Sequence, residues 1–487
     1  MHSPPAFAGG AGGGAPIFRR RAKVWKSQGR HATARFMTNR PVAAIILAAG
    51  KGTRMKSDLH KVLHPLAGRP MIEHLIASVG ALGSHETVVV VGSGREQVEP
   101  LVQKHGGTVA VQEPQLGTAH AVQQAEAALA GFDGDVLILY GDVPLVSTAT
   151  MRQMLDRLAA EDAPAAVVLG FRPADALRYG RIIADGDGTI TKMVEHKDAS
   201  DEERLVDLCN SGMMAVRAAD LWPLLAHVGN DNAAGEYYLP DVVMLASADG
   251  RRSVVVETSE AEVAGVNSRA ELAGLEAAWQ QRRRAEMMDA GVSLVAPDTV
   301  WFAHDTKIAR DVTIEPNVFF GPGVTVGERV KIRAFSHIEG ATIGAGAEVG
   351  PYARLRPGTE LGTDSKIGNF VETKKAKLGA GAKANHLTYL GDVEVGAKAN
   401  VGAGTITCNY DGFFKYGTSI GEGAFIGSNS ALVAPVSIGP GAIVGAGSVV
   451  TRDVEADALA VARGRQEIHP GWAKRFRDKM LAKKKAG

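Results

Sequence analysis

The stretch that decides the fold of the second half of the chain is IGEGAFIGSNSALVAPVSIGPGAIVGAGSVV, residues 420–450. Glycine very often follows its aliphatic residues, and a small residue usually stands four places after each. One apolar anchor and one tight corner in every six residues are typical of a parallel β-helix, whose three sides close a triangular coil. The anchors, each six apart, are Ile420, Ile426, Leu432, Ile438, Val444 and Val450.

The same period of six occurs earlier in the chain, with one slip of one residue. Two segments interrupt it, residues 373–377 and 407–418. The second reads TCNYDGFFKYGT, which is polar and aromatic, so we predict that it leaves the β-helix as a loop. We assign the β-helix to residues 291–460 and a basic tail to 461–487. The earlier anchors are Ile308, Ile314, Phe320, Val326, Ile332, Ile338, Ile343, Val349, Leu355, Leu361 and Ile367.

Residues 41–266 show a different pattern, in which short apolar runs alternate with amphipathic stretches. The runs 42–47, 87–91, 136–140 and 165–171 predict strands, and the stretches 71–82 and 119–130 predict crossover helices. This alternation indicates a doubly wound, Rossmann-like α/β domain, whose ligands bind at the carboxyl ends of the strands. Ser268 and Glu271 form a capping-box signature ahead of Leu272, Leu275 and Trp279, so residues 267–290 are predicted to be a linker helix.

Bulk composition excludes several classes of protein. A chain of 487 residues is too long for one ordinary core, and a net charge of +1 gives no support to a nucleic-acid-binding role. Cys209 and Cys408 are the only cysteines, too few for a disulfide framework, which predicts a reducing compartment. No apolar run reaches the length of a membrane-spanning helix.

Residues 1–40 stand apart, with no Asp or Glu and a basic patch at Arg19, Arg20 and Arg21. No apolar run follows these arginines, so a secretory signal is not expected. The composition allows a transit peptide, although serine is sparse. We favour a disordered extension, or a start placed upstream of the true one, with Met37 as the alternative initiator.

The first chemical motif is LAAGKGTRM at residues 47–55, directly after a predicted strand and opening a predicted helix. Gly50 and Gly52 allow the backbone to approach a ligand, and a helix N-terminus attracts phosphate. Arg54 and Lys61 would place two cations beside it. The alternative is an ordinary strand-helix turn with solvated basic residues.

This motif closely resembles the signature of the sugar-1-phosphate nucleotidyltransferases. Further blocks follow in order: QLGT at 115–118, YGDVP at 140–144, YGRI at 179–182, VEHK at 194–197 and GVN at 265–267. In the second half, ARLRPG at 353–358, NFVETKK at 369–375, HLTYLGD at 386–392 and TCNYDG at 407–412 agree as well. Together they resemble the bifunctional N-acetylglucosamine-1-phosphate uridyltransferase/glucosamine-1-phosphate acetyltransferase family, from residue 41 to the C-terminus.

The resemblance implies roles for individual residues of the first half. Arg54 and Lys61 would stabilise charge during attack of a sugar phosphate on the α-phosphate of UTP, and Asp142 and Asn267 would bind Mg²⁺. Two positions depart from the family pattern, Ser211 in place of Thr and His60 in place of Pro. The nucleotide and sugar contacts implied are Leu47, Ala48, Ala49, Gly50, Lys61, Gln112, Gly117, Thr118, Tyr140, Gly141, Asp142, Gly180, Glu195, Asn210 and Asn267.

The second half would carry the acetyl transfer. A neutral imidazole can take a proton from an amine that attacks a thioester, so His386 is the candidate base, with Glu372 orienting it or the amine. Cys408 is read as a bystander. By resemblance, glucosamine-1-phosphate would contact Arg356, Lys374, Tyr389 and Asn400, and acetyl-CoA would contact Ala403, Asn409, Tyr410, Ser428, Ala446 and Arg463.

The predicted function is therefore synthesis of UDP-N-acetylglucosamine from glucosamine-1-phosphate, acetyl-CoA and UTP, for cell-wall and outer-surface glycans. Relatives in the family trimerise through the β-helix and build acetyl sites between subunits, so a homotrimer is expected. Two alternatives stay open. One is a single-activity nucleotidyltransferase whose β-helix only oligomerises or regulates, and the other is a scaffold without activity.

Overall fold

The computed structural model describes residues 40–176 and 179–486. The predicted extension at residues 1–40 therefore lies outside the described residues, apart from Arg40.

The N-terminal half is built on a nine-stranded sheet. In spatial order, its main path is Val254–Thr258, Ala166–Phe171, Cys209–Arg217, Asp135–Tyr140, Val42–Ala48, Glu86–Val91 and Thr108–Val111. Cys209–Arg217 runs antiparallel to its neighbours and the rest are parallel. The strands Arg181–Ala184 and Ile190–Val194 form a hairpin that pairs with the first residue of strand Cys209–Arg217. The four strands predicted from the sequence are confirmed to within one residue at each end.

Helices cover both faces of this sheet, and Met71–Leu82 has the predicted bounds. Two expectations were wrong. The helix predicted over 119–130 is Thr118–Gln123 followed by a short 3₁₀ turn, Ala127–Leu129, because the chain tightens there into bonds between residues three apart. The other α-helices are Arg95–Lys104, Thr148–Leu158, Asp201–Arg204, Ala218–Leu225, Asp241–Ala248 and Glu260–Val263.

The second wrong prediction is the helix expected directly after the first strand. This segment is the 3₁₀ turn Thr53–Met55, bounded by left-handed residues at Gly52 (φ 61°) and Lys56 (φ 48°), and no α-helix opens there. A second 3₁₀ turn, Lys61–Leu63, follows. Backbone groups of an irregular loop, and not a helix N-terminus, therefore face the carboxyl end of the first strand.

The C-terminal half is a parallel β-helix, and the predicted fold class is confirmed. Every predicted anchor is buried except Ile308, which is partly buried. The strands are Ser293–Leu294, Lys307–Ile308, Thr313–Ile314, Phe319–Phe320, Thr325–Val326, Lys331–Ile332, His337–Ile338, Ala341–Ile343, Glu348–Val349, Arg354–Leu355, Thr359–Leu361, Lys366–Asn369, Glu372–Leu378, Lys383–His386, Tyr389–Val395, Asn400–Val401, Ile406–Cys408, Thr418–Ile420, Phe425–Ile426, Ala431–Val433, Val436–Ile438, Ile443–Val444, Val449–Val450 and Leu459–Ala460.

The two interruptions behave differently. The first stays in the wall, as part of Glu372–Leu378, with the buried Thr373 in the place of an aliphatic anchor opposite Leu355. Its Oγ1 lies 2.9 Å from Thr359 Oγ1, which satisfies the buried hydroxyl. The second leaves the helix as predicted, although its first two residues remain in strand Ile406–Cys408. Residues 409–417 form the loop.

A single long helix, Arg269–Asp289, joins the halves; we call it the connecting helix. Glu271 N donates to Ser268 Oγ, as the capping signature predicts. The Glu271 carboxylate, however, accepts from Asn267 N and not from Ser268 N, so the second bond of the box is shifted by one residue.

The C-terminal helix Trp472–Ala486 has no buried residue. Within the described part of the chain, no helix combines the length and the apolar character needed to cross a bilayer.

Candidate active sites

The carboxyl ends of the central strands open into a cleft of about 330 Å³. Val42–Ala48 lies between Asp135–Tyr140 and Glu86–Val91, and the chain turns to opposite sides of it, which is the topological switch point where such sheets bind ligands. The lining includes most of the residues predicted to hold the nucleotide: Leu47, Ala48, Ala49, Gly50, Lys61, Gln112, Gly117, Thr118, Tyr140 and Asp142. Gln115 and Glu236, which had no predicted role, line it too.

Lys61, Asp142 and Asn267 meet at one point of this cleft. Lys61 Nζ lies 2.5 Å from Asp142 Oδ2 and 3.3 Å from Asn267 Oδ1, with both charged side chains largely buried. The backbone brings them together, because Val266 N donates to Asp142 O and places Asn267 beside the carboxylate. The residues predicted to bind the metal thus converge although they are far apart in sequence.

These two oxygens fit a magnesium ion. Carboxylate and amide oxygens are hard ligands, and both already surround a cationic ammonium. In the described residues, no group of three or more His, Cys, Asp and Glu side chains could hold a metal. A site with so few protein ligands leaves positions for phosphate oxygens and water, as Mg²⁺ sites in nucleotide enzymes commonly do.

A second cavity of about 590 Å³ adjoins the first and shares Tyr140 and Asp142 with it. Ser211 and Asn267 also line this cavity. Burial, with Glu195 and Asp142 nearby, raises the pKa of Tyr140 and keeps its hydroxyl protonated. The Tyr140 ring lies over Gly212, where a Cβ would be 2.7 Å from Cε2.

The residues predicted to hold the sugar are grouped near Tyr140. Asn210 N donates to Gly180 O, and a Cβ at Gly180 would lie 3.2 Å from the carboxylate oxygens of Glu195. Burial first, and then Asp198 and Asp241, raise the pKa of Glu195. A carboxyl in such surroundings is suited to hydrogen-bond a neutral sugar hydroxyl.

The departures from the family pattern have separate structural settings. Ser211 Oγ donates to Leu169 O at 2.6 Å, so its hydroxyl supports the sheet. His60 is buried, and its backbone N–H donates to Gln97 Oε1. The pKa of its imidazole is lowered, first by burial and then by the Lys61 charge. Arg54 is exposed on the turn Thr53–Met55 and is not among the residues that line the cleft.

On the β-helix, His386 is exposed and bonded to a residue that the sequence analysis did not assign. Its Nδ1 lies 2.6 Å from Asn369 Oδ1, in the preceding coil. Because an amide oxygen only accepts, the proton lies on Nδ1 and the Nε2 lone pair faces outward. Glu372 accepts instead from Arg356 Nη1 at 2.8 Å, so its carboxylate is directed to the arginine. The expected orienting bond from Glu372 to His386 is not formed among the described residues.

Three cations lie close together on the adjacent side of the β-helix. Arg356 and Lys374 lie in adjacent coils, and the neighbouring Lys415 ammonium, with Arg356, lowers the pKa of Lys374. Mutual repulsion between these groups is relieved when an anion binds. Lys415 comes from the expelled loop and was missed by the sequence analysis, which offered no pattern to distinguish it.

The base of the expelled loop packs on Tyr389. A Cβ at Gly391 would lie 2.5 Å from Tyr389 Oη and 2.7 Å from Asn409 Nδ2, so only glycine leaves room for both. Asn409 is buried, and its Nδ2 donates to Asp392 Oδ2 at 2.5 Å. Tyr410 is 60% exposed, and Phe413 and Phe414 are 86% and 68% exposed.

Four of the residues predicted to contact acetyl-CoA form a column along one corner (Ala403, Ser428, Ala446 and Arg463), whereas Asn409 and Tyr410 lie in the expelled loop. Backbone bonds join equivalent positions in successive coils: Gly404 N to His386 O, Asn429 N to Ala403 O, and Gly447 N to Ser428 O. Arg463 Nη1 closes the column by donating to Ala446 O at 2.7 Å. Coils of a β-helix stack about 4.8 Å apart, so the column extends from the histidine over roughly three coils with only small side chains between. Asn400 lies on a strand of the adjacent side.

Fold and sites together define the class: a nucleotidyltransferase joined to a hexapeptide-repeat transferase. Residues 44–236 match the MobA-like NTP transferase domain, and residues 305–340 and 417–452 match the bacterial transferase hexapeptide (six repeats).

Over 450 residues the chain is 69% identical to the bifunctional protein GlmU of Sphingopyxis alaskensis, covering 92% of this chain and 99% of that protein. It is 72% identical to the one of Rhizorhabdus wittichii (92% and 100% covered) and 59% to the one of Zymomonas mobilis (91% and 99%). The chain belongs to the bifunctional GlmU family. The predicted function is thereby confirmed: it is an acetyltransferase and uridyltransferase of UDP-N-acetylglucosamine synthesis.

Proposed function

We propose that the cleft at the sheet binds UTP and N-acetylglucosamine-1-phosphate, with Mg²⁺ held by Asp142 and Asn267. The observation that carries this assignment is the convergence of both oxygens on Lys61 Nζ. Mg²⁺ bound there would neutralise charge on the triphosphate. The nucleotide lies against Leu47–Gly50, Gln112 and Gly117–Thr118, and the sugar lies against Gly180, Glu195 and Asn210.

In this proposal the protein aligns the two substrates and neutralises the charge of their phosphates, and it supplies no general base. A phosphate oxygen of the sugar phosphate attacks the α-phosphorus of UTP, a new P–O bond forms, and the bond to pyrophosphate breaks. The attacking oxygen is already ionised, so no proton has to be removed. Lys61 donates to phosphate oxygens, and Arg54 reaches the leaving pyrophosphate from its exposed turn.

Acetyl transfer takes place at the column on the β-helix. The amine of glucosamine-1-phosphate attacks the thioester carbonyl, the C–N bond forms and the C–S bond breaks. His386 Nε2 takes the amine proton, since Nδ1 is held by Asn369. Arg356, Lys374 and Tyr389 bind the sugar phosphate, Asn400 and Asn409 support the sugar side, and Glu372 binds the amine.

The acetyl site is completed by a second copy of the chain in a homotrimer. Its support is the combination of an exposed histidine with a loop that exposes Tyr410, Phe413 and Phe414, more aromatic surface than a free loop normally shows. The cofactor then lies along Ala403, Ser428, Ala446 and Arg463, at the border between copies. A cytoplasmic location follows from substrates that are made in the cytoplasm.

One assay tests the whole proposal. Purified protein is incubated with glucosamine-1-phosphate, acetyl-CoA, UTP and Mg²⁺, and N-acetylglucosamine-1-phosphate and UDP-N-acetylglucosamine are quantified separately. Both products should form in sequence. Addition of EDTA should stop the second product and leave the first. Acetylation that also stops on metal removal would contradict the separate roles.

A further inference from the structure

Two strands that follow the Lys61 turn pack against the β-helix, whereas Val62 within the turn packs against the sheet. Strands Pro65–Leu66 and Arg69–Pro70 form a small antiparallel hairpin, which we call the joint hairpin. Its buried Leu66 and Ala67 belong to the same hydrophobic core as the β-helix anchors and Trp279 of the connecting helix. The two faces of the sheet form cores of their own. Part of the nucleotidyltransferase half is therefore built into the base of the other half.

The tip of the joint hairpin is held from both sides. Ala67 N donates to Glu276 Oε2 of the connecting helix at 2.7 Å, and Ala67 O accepts from His304 N of the first coil at 2.9 Å. Ala67 (φ 49°) and Gly68 (φ 76°) turn the chain with positive φ angles. A Cβ at Gly68 would lie 3.0 Å from Pro322 Cγ, so the tip touches the coil directly.

Glu276 is itself held by the β-helix through one intervening side chain. Gln280 Nε2 donates to Glu276 Oε1 at 2.8 Å and to Phe302 O at 2.7 Å, while Phe302 N donates to Gln280 Oε1 at 2.9 Å. Gln280 is 2% exposed. A buried amide with both ends paired to backbone has one orientation, and it fixes the carboxylate that it contacts.

At its other end, the joint hairpin is separated by the single residue His64 from the turn that carries Lys61. The turn is Lys61–Leu63, and Met71 N donates to His64 O at 3.1 Å to close the base of the hairpin. Lys61 is also packed from the side of the glycine loop, since a Cβ at Gly52 would lie 2.7 Å from its Cβ. A displaced hairpin would therefore displace Lys61 from Asp142.

We propose that Glu276 is a positioning residue for uridyl transfer, fixing the joint hairpin and thereby the Lys61 ammonium relative to Asp142. The base of the β-helix then acts as the reference surface for a site in the other half. This inference rests on the proposed role of Lys61. Misplacement of a catalytic group by about 1 Å can cost roughly a hundredfold in rate, so an indirect contact can have a measurable effect.

The test uses the full chain and compares Glu276→Ala, Glu276→Gln and Glu286→Ala. Glu276→Ala should lower kcat/KM of uridyl transfer for UTP by about tenfold, a fraction of the full misplacement effect, and leave acetyl transfer unchanged. Glu276→Gln should recover most of the loss, because an amide oxygen still accepts from Ala67 N. Glu286→Ala is the matched control on the same helix and should have no effect, because Glu286 is half-exposed and, in the described part of the chain, forms its ion pairs with Arg282 and Arg283.

A double-mutant cycle separates positioning from general destabilisation. In a Lys61→Ala background, Glu276→Ala should cause no further loss, and an equal loss in both backgrounds would overturn the inference. If Glu276→Ala fails to fold, Glu276→Asp keeps the charge but is one methylene shorter, and it should still lower uridyl transfer. Amide hydrogen exchange of residues 61–70 should speed up in either variant, and unchanged exchange together with unchanged activity would also overturn it.

The two proposals fail in different ways. Lys61→Ala with full uridyl transfer would refute the role of Lys61. Lys61→Ala without activity, combined with a silent Glu276→Ala, would refute only the positioning role.

Discussion

The two candidate sites of this chain differ in how far a single copy encloses them. The candidate nucleotidyltransferase site lies in a cleft at the switch point of a sheet, and its charged groups are already in contact and largely buried. The candidate acetyltransferase site lies on the outside of a solenoid, with His386 exposed and three cations close together. A solenoid wall is convex and its interior is filled by anchors, so it cannot enclose a substrate alone. The difference indicates that the second site needs another surface and the first does not.

The largest expected effect tests whether acetyl transfer and uridyl transfer depend on different residues. His386→Ala should lower acetyl transfer by about a hundredfold or more, the usual contribution of a general base, and leave uridyl transfer almost unchanged. The two rates are measured separately, by thiol release from acetyl-CoA and by pyrophosphate release. Asn369→Ala is a milder variant of the same site. It removes the hydrogen-bond partner of His386 Nδ1 without removing the base, so the loss of acetyl transfer should be smaller. Comparable loss of both activities in folded His386→Ala protein would end the two-site model.

The reciprocal change tests the cleft. Lys61→Ala should lower uridyl transfer by about a hundredfold, the order found for loss of a group that stabilises transition-state charge, and spare acetyl transfer. Asp142→Asn should raise the Mg²⁺ concentration needed for half-maximal rate, because it removes the charged ligand and keeps an oxygen. Magnesium titrations of wild type and variant measure this. An unchanged magnesium requirement would mean that Asp142 does not bind the metal.

A smaller effect is expected from subunit exchange, which tests whether the second surface is another copy. His386→Ala and Tyr410→Ala proteins, each inactive in acetyl transfer, are mixed under conditions that allow subunits to exchange. If one copy supplies the histidine and its neighbour supplies the loop, random mixing in a cyclic trimer should restore about a quarter of the sites. Tyr410 is preferred to Asn409 because the Asn409 side chain is buried against Asp392 of its own chain. Exchange that is verified by mass and restores no activity would show that each site is made within one chain.

The sequence predicts the β-helix well because its information is local. Each coil repeats one anchor at a period of six, and the pattern fails where Thr373 and Thr407 replace aliphatic anchors. Their buried hydroxyls are paired with Thr359 Oγ1 and with Gly391 N, which no periodic pattern reveals. The turn after the first strand was predicted wrongly as a helix because left-handed residues at Gly52 and Lys56 stop it within three residues.

Candidate site residues that short motifs indicate do lie close together in the structure, whereas contacts that depend on packing were missed. Asn369 stands 17 residues before His386, one fewer than three sides of six residues predict, so the repeat length indicates its neighbourhood but not the residue itself. Lys415 and Glu276 had no such signal. The position of Lys415 depends on the path of the expelled loop. The contact of Glu276 depends on a hairpin that packs across the boundary between the halves.

The smallest expected effect concerns that boundary and its dependence on pH. His74 follows the joint hairpin, its Nε2–H donates to Leu66 O at 2.8 Å, and its ring meets that of His304 of the first coil at 5.9 Å. Burial is the main cause that lowers the pKa of His74 to about 4, and the positive charge of Arg69 contributes to this shift. In the unfolded chain this histidine takes up a proton near pH 6.5. Between pH 6.5 and 4 the unfolded state therefore binds more protons than the folded state, and stability falls as the pH falls through this range.

His74→Gln keeps a donor for Leu66 O but cannot be protonated, so its stability should depend less on pH. Thermal unfolding at pH 7.5 and pH 4.5 measures this: the drop in Tm should be smaller in the variant by about 2–4 °C, the shift that ~1 kcal/mol gives in a chain of a few hundred residues. His227→Gln, at an exposed histidine bonded to Pro223 O, is the matched control and should keep the wild-type drop. Equal drops in wild type and His74→Gln would show that the boundary stays closed when His74 is protonated. A smaller drop, accompanied by slower amide exchange of residues 61–70 at pH 4.5, would place the acid-sensitive step at the contact through which the two halves meet.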